Sequence, residues 1–115
     1  MMTKKALPLL IALVVLICSC TPASKTTVEK SVKVWGNCDK CKTRIESACK
    51  VNGVADPNWH IDSKLLTFKV DTALLSPSYV LKQVARAGHD NEMYFADEYS
   101  YSKLPESCQY ERRTE

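Results

Sequence analysis

Glycine is scarce, with three in 115 residues, and none forms the glycine-rich loop that cradles a phosphate. Serine, histidine and acid residues fall into no hydrolase pattern, and no two carboxylates stand in a recognisable acid–base context. These absences remove the common catalytic classes, and the expectation is that the chain is not an enzyme. There is no internal repeat and no low-complexity run. An excess of one charge is also lacking, with 16 Lys+Arg against 13 Asp+Glu. No broad positive field is therefore available to hold nucleic acid. An apolar run long enough for a bilayer is missing as well. Ala6 to Ile17 is uncharged and broken only by Pro8, but a spanning helix needs about 20 residues.

What that short run does offer is the layout of an export signal. Met1 to Lys5 is basic, the apolar stretch follows, and Ile17-Cys18-Ser19-Cys20 closes it. The closing residues resemble a bacterial lipobox, in which cleavage falls before a cysteine that is then lipidated. Cys20 suits that role because small Ser19 precedes it; Cys18 suits it poorly because Ile17 is bulky. Residues 1–19 are then a lipoprotein signal peptide, and 20–28 are a lipidated Cys20 with a small, polar tether. Cleavage removes Lys4 and Lys5, leaving 14 Lys+Arg against 13 Asp+Glu in residues 20–115. The expected location is the cell envelope, with the membrane reached through the lipid. Four thiols remain in the mature chain, Cys38, Cys41, Cys49 and Cys108. In an oxidising compartment their plain alternative is two disulfides.

Hydrophobic periodicity divides the rest. Lys30 to Gly36 alternates as a strand, and Asp39 to about Lys50 reads as a helix with Cys41, Ile45, Ala48 and Cys49 on one face. Asn52-Gly53 ends that helix. Ala55 to Ile61 and Leu65 to Val70 form a hairpin about Asp62-Ser63-Lys64. Ser76-Pro77 opens a second helix that buries Val80, Leu81, Val84 and Ala87 and stops at Gly88. Asn91 to Phe95 is expected as a short last strand. The order is β-α-β-β-α-β, which predicts an α+β ferredoxin-like sandwich: a four-stranded antiparallel sheet with two helices on one face. That domain spans 29–95. A C-terminal extension, 96–115, adds a short helix capped by Asp97, several tyrosines expected to pack it on the sheet, and Cys108.

Cys38 and Cys41 form a Cys-x-x-Cys at a strand-to-helix junction. The first cysteine lies in the loop and the second in the opening helical turn, so both sulfurs converge. Unpaired backbone N–H groups and the helix dipole stabilise thiolate there. Soft thiolates favour Cu(I), with Zn(II) or another soft divalent ion as further candidates. The same placement suits a disulfide equally well.

Gly36-Asn37-Cys38-Asp39-Lys40-Cys41, followed by Ile45-Glu46 and Gly53-Val54, resembles a heavy-metal-associated domain over about Val28 to Phe95. The Trp-Gly-Asn-Cys wording and the Leu-Pro-x-x-Cys-Gln-Tyr tail are similar to exported members from Bacteroidetes-type bacteria. The resemblance implies that Cys38 and Cys41 bind metal. It implies also that His89, in Ala87-Gly88-His89-Asp90, lies on a loop facing the pair as a candidate ligand oriented by Asp90. The family usually carries Gly-Met-Thr before its first cysteine, whereas this chain has Trp35-Gly36-Asn37. Trp35 is expected to replace the buried methionine. Cys49 stands where the family buries leucine, and about 12 Å along the helix axis from Cys41 it is a core residue rather than a ligand. His60 points outward beside a packed Trp59. Cys108 is a candidate further ligand, a disulfide partner or a free thiol.

Three functions could use the pair. The first is an envelope-anchored Cu(I) carrier, for supply or detoxification, that exchanges its ion with a metal-transporting membrane protein or a cuproprotein. Such a carrier is expected as a monomer, or as a dimer bridged by metal. The second is a thiol–disulfide protein, though the usual redox motif carries a thioredoxin-type order that this chain lacks. The third is a disulfide-locked interaction domain. The β-α-β-β order favours metal.

Overall fold

The computed structural model describes residues 26–114. The expected signal peptide, Cys20 and most of the tether lie outside the described residues. Strand β1 (Thr27–Lys33) leads to helix α1 (Asp39–Ala48), then β2 (Val54–Trp59), β3 (Leu65–Asp71) and helix α2 (Pro77–Arg86). The strands pair antiparallel in the order β1-β3-β2. Among the described residues no helix is long and apolar enough to cross a membrane.

Each boundary has a local cause. Extended Cys38 precedes α1, which starts at Asp39, an acid in the first turn where the helix dipole favours it. Gly53 lies at φ +101°, and a Cβ there would come within 2.4 Å of Leu75. The chain therefore turns sharply under Leu75 into β2. Pro57 is tolerated because β2 is an edge strand with a register shift between Ala55 and Asn58. Ser76 caps α2 by accepting from the Tyr79 N–H at 3.2 Å, with Pro77 in the first turn. In the hairpin, Lys64 adopts φ +67° and donates its N–H to His60 O at 2.7 Å.

The core lies between the sheet and the two helices. Leu66, Phe68 and Val70 of β3 meet Cys41 and Ile45 of α1 and Val80, Leu81 and Val84 of α2, all essentially fully buried. Each large apolar side chain buried in this way contributes about 1.5–3 kcal/mol. Ala85, rather than the expected Ala87, completes the buried face of α2.

The fourth strand is the main correction. Asn91 to Phe95 makes a single antiparallel bridge, Val34 with Asn91, and the sheet has three strands. Trp35 N–H donates to Asp90 O at 2.8 Å and Glu92 N–H to Lys33 O at 3.2 Å, so pairing with the end of β1 begins. Asn91 then stops it. Its Oδ1 accepts from the N–H groups of Met93 and Tyr94, each at 3.0 Å, and its own N–H donates to Tyr94 O. Its Nδ2 donates to Leu81 O at 2.9 Å. The side chain thus offers the backbone a turn in place of a ladder.

Beyond Ala96 the extension forms helix α3 (Glu98–Ser102) and a single 3-10 turn (Glu106–Cys108). Asp97 caps α3 by accepting from Ser100 N–H at 2.6 Å. The extension packs on the Gly88–Asn91 loop and the start of α1. Leu104 sits so close to Gly88 that a Cβ there would lie 2.9 Å from it, and Gly88 at φ +108° suits glycine alone.

Candidate metal centre

The pair sits where β1 ends beneath the open end of α1. Cys41 is fully buried, and Cys38 is half-buried. Gly36 makes the approach possible: a Cβ on it would lie 3.0 Å from the Trp59 ring and 3.1 Å from Cys41 Cβ. Trp59 is therefore the prop beneath the loop, and its Nε1 donates to Val34 O at 3.0 Å. Trp35, expected in that role, is only half-buried and instead offers its carbonyl to His89. Lys42 and Glu46 brace the prop. Glu46 accepts from Trp59 N–H at 2.8 Å and from Lys42 Nζ at 2.7 Å.

The two thiols differ in environment. The Cys41 backbone amide lowers the pKa of Cys38 against a smaller effect of burial, and the Lys40 amide helps, although no formal cap hydrogen bond closes. Burial pushes Cys41 up to about 11 despite amide hydrogen bonds from Asn37 and Cys38. Its Sγ donates to Asn37 Oδ1 at 2.9 Å and accepts from Asn37 N–H at 3.3 Å.

Cys108 joins them. The sulfurs of Cys38, Cys41 and Cys108 all lie within 4.8 Å of one another, and Cys108 is fully buried. The 3-10 turn seats it, and Cys38 Sγ donates to the neighbouring Ser107 O at 3.4 Å. Polar contacts with the loop after α2 hold the extension in place. Arg112 reaches the Asp90 carboxylate through Nε and Nη2, each at 2.7 Å, and Nη2 also donates to Ala96 O. Tyr110 Oη donates to Gly88 O at 2.7 Å and accepts from Asp90 N–H at 2.8 Å. Asp90 is fully buried, and burial alone would raise its pKa. Hydrogen bonds from Arg112, Ala96 and Arg113 outweigh that and hold the carboxyl below its ordinary range.

His89 stands beside this arrangement and outside the three-sulfur group. Its Nδ1 lies 2.8 Å from Trp35 O, and a carbonyl only accepts, so Nδ1 carries the proton. The Nε2 lone pair is buried with no hydrogen-bond partner. The ring stacks on Tyr110 at 5.1 Å and 15°. Burial lowers its pKa to about 4, with Arg44 acting the same way and the Trp35 carbonyl opposing. Asp90 is engaged with Arg112 rather than orienting the imidazole. Cys49 is in the core, its pKa raised to about 12 chiefly by burial, and His60 is exposed. Cys38, Cys41, Cys49 and Cys108 are all free thiols.

The donor set fits a soft ion. With metal–sulfur bonds of about 2.3 Å, two sulfurs on one ion stand at most about 4.6 Å apart, and about 4.0 Å in a trigonal plane. The three sulfurs need to close by less than about 1 Å to share an ion.

No family model matches the sequence, and no curated protein matches it. Solved structures do resemble the fold. A chain described as CopZ metallochaperone superposes with a TM-score of 0.53 at 21% identity, covering 56% of this chain and 98% of its own. A candidate copper-ion-binding protein from Bacillus anthracis str. Ames gives a TM-score of 0.56 at 21% identity, covering 60% of this chain and all of its own. The fold is thus that of small α+β domains of this kind. Each neighbour leaves roughly two-fifths of this chain uncovered.

Proposed function

We propose that this chain is an envelope-anchored carrier of a soft metal, foremost Cu(I), held by Cys38 and Cys41 with Cys108 as a further donor beside them. The observation that carries this reading is the meeting of three free sulfurs within 4.8 Å at the open end of α1. The copper-related descriptions of the two structural neighbours support the choice of metal. Thiolate sulfur matches Cu(I) in softness, and Zn(II) is the second candidate.

The chemistry is binding and exchange, without catalysis. Cys38, half-buried and lowest in pKa of the two, is the sulfur that an incoming thiolate reaches first. A metal-transporting membrane protein or a cuproprotein would take the ion by displacing one sulfur at a time. The lipobox-like Ser19-Cys20 supports anchoring in the envelope.

The test is a titration of the reduced protein with Cu(I) and Zn(II) against a competing chelator, beside a Cys38→Ser/Cys41→Ser double variant. The expected result is one tight Cu(I) per chain, lost in the double variant. No tight site, or one the double variant leaves unchanged, would end this reading.

A further inference from the structure

We infer that the Cys38–Cys41–Cys108 site takes a second class of cargo, a trivalent thiophilic centre of the arsenic(III) type, and that this class requires all three sulfurs. The inference rests on the reading that these three thiols form one donor set.

Among the described residues the group contains three sulfurs and no fourth cysteine, histidine or carboxylate. A tetrahedral Zn(II) site closes with four ligands. Trivalent arsenic carries a lone pair and binds three sulfurs on one side, leaving the position opposite empty. A three-point set complements that shape.

Two of the three sulfurs are fully buried, and buried charge without a partner is costly. Two cations close to these cysteines in the chain are already engaged. Lys42 Nζ binds Glu46, Asn58 and the Trp59 carbonyl. Arg112 binds Asp90 and the Ala96 carbonyl. Three thiolates around Cu(I) would leave two uncompensated negative charges, and around a divalent ion one. Around a trivalent centre they leave none. Cu(I) is therefore balanced best by two thiolates, with the third sulfur kept as a thiol.

The step needs no redox partner. Arsenous acid, As(OH)3, meets three thiols; three As–O and three S–H bonds break, three As–S bonds form, and three water molecules leave. Arsenic stays trivalent and sulfur keeps its oxidation state. The buried, reduced thiols of Cys41 and Cys108 suit this exchange because the product is neutral.

The experiment uses the full chain in detergent with Cys18→Ser and Cys20→Ser, so that N-terminal thiols do not compete. Reduced protein is titrated with sodium arsenite and read by intact mass and near-ultraviolet arsenic–sulfur absorbance, with the Cu(I) titration run on the same sample. We expect one adduct per chain whose mass gain equals one arsenic less three hydrogens. Cys108→Ser should abolish that adduct, whereas Cys49→Ala, which removes a core thiol outside the group, should leave it intact. Should Cys108→Ser fail to fold, alkylation of the parent chain decides: arsenite must protect Cys38, Cys41 and Cys108 together. Absence of a one-to-one adduct, its survival in Cys108→Ser, or protection of Cys38 and Cys41 alone would overturn the inference. Copper binding that persists while arsenite fails would leave the carrier reading standing, and loss of both would remove both.

Discussion

From Thr27 to Arg86 the chain is held by apolar side chains meeting across a sheet and two helices, whereas from Gly88 to Arg113 directed polar contacts do much of the holding. The first region places Cys38 and Cys41; the second brings Cys108 to them. Apolar packing is non-directional, so helix geometry sets where the pair points. Hydrogen bonds and a buried ion pair have direction, and they position the last sulfur through Asp90, Tyr110 and Arg112. One site is thus assembled by two kinds of force, and each can be broken separately.

The largest effect should come from the apolar side. Trp59→Ala empties the space beneath Gly36 and Cys41, and should cost about 3–5 kcal/mol in urea unfolding. Cu(I) affinity should fall with it, because the loop loses its floor. An unfolding midpoint within error of the parent would show that Trp59 is no prop.

Arg112→Met tests the polar side. It leaves the Asp90 carboxylate buried without its cation, at a cost of about 3 kcal/mol. The telling readout is local: alkylation of Cys108 should accelerate far more than that of Cys49, because the extension loosens before the core. Equal acceleration at both would mean that the two regions unfold as one.

The smallest effect is one of pH. His89 has an ordinary pKa of 6.5 and a folded pKa of about 4, so the unfolded chain binds more protons between those values. The stability it contributes is complete above about pH 6.5 and is lost as pH falls toward 4, amounting to about 2 kcal/mol between pH 7 and pH 5. Asp90, lowered from 3.8, acts in the same direction but only at more acid pH. His89→Phe, which keeps a ring against Tyr110, should flatten the slope between pH 7 and pH 5. A slope that persists in that variant would assign it to another group.

How much of this the sequence made legible follows the same division. The start of α1 at Asp39, the Ser76 cap, the hairpin at Lys64 and the convergence of Cys38 and Cys41 all rest on neighbours within a few residues, and pattern finds them. The seat of Cys108 rests on Arg112 meeting Asp90 and Tyr110 meeting Gly88, each 22 residues apart. No spacing rule exposes such contacts, so ligand, bridge and free thiol stood level for that residue. Asn91 to Phe95 misled for a different reason. Tyr94 and Phe95 favour a strand, but the Asn91 side chain took the backbone amides that a strand would have offered to β1. Pattern marks Trp59 as packed but not as the prop, because only the absent Cβ of Gly36 reveals the contact. A glycine just before a cysteine pair is the signal that could have pointed to a ring beneath it.

Cys41 and Cys108 stand 67 residues apart in the chain yet side by side in space. An ion held by both would fasten a loop of that length, and closing a long loop restrains the unfolded chain more than closing a short one. Cargo would then work as a removable clasp on the fold. Loaded molecules would keep the extension down against a protease, and emptied ones would release it first, so each copy's turnover would record whether it was carrying an ion.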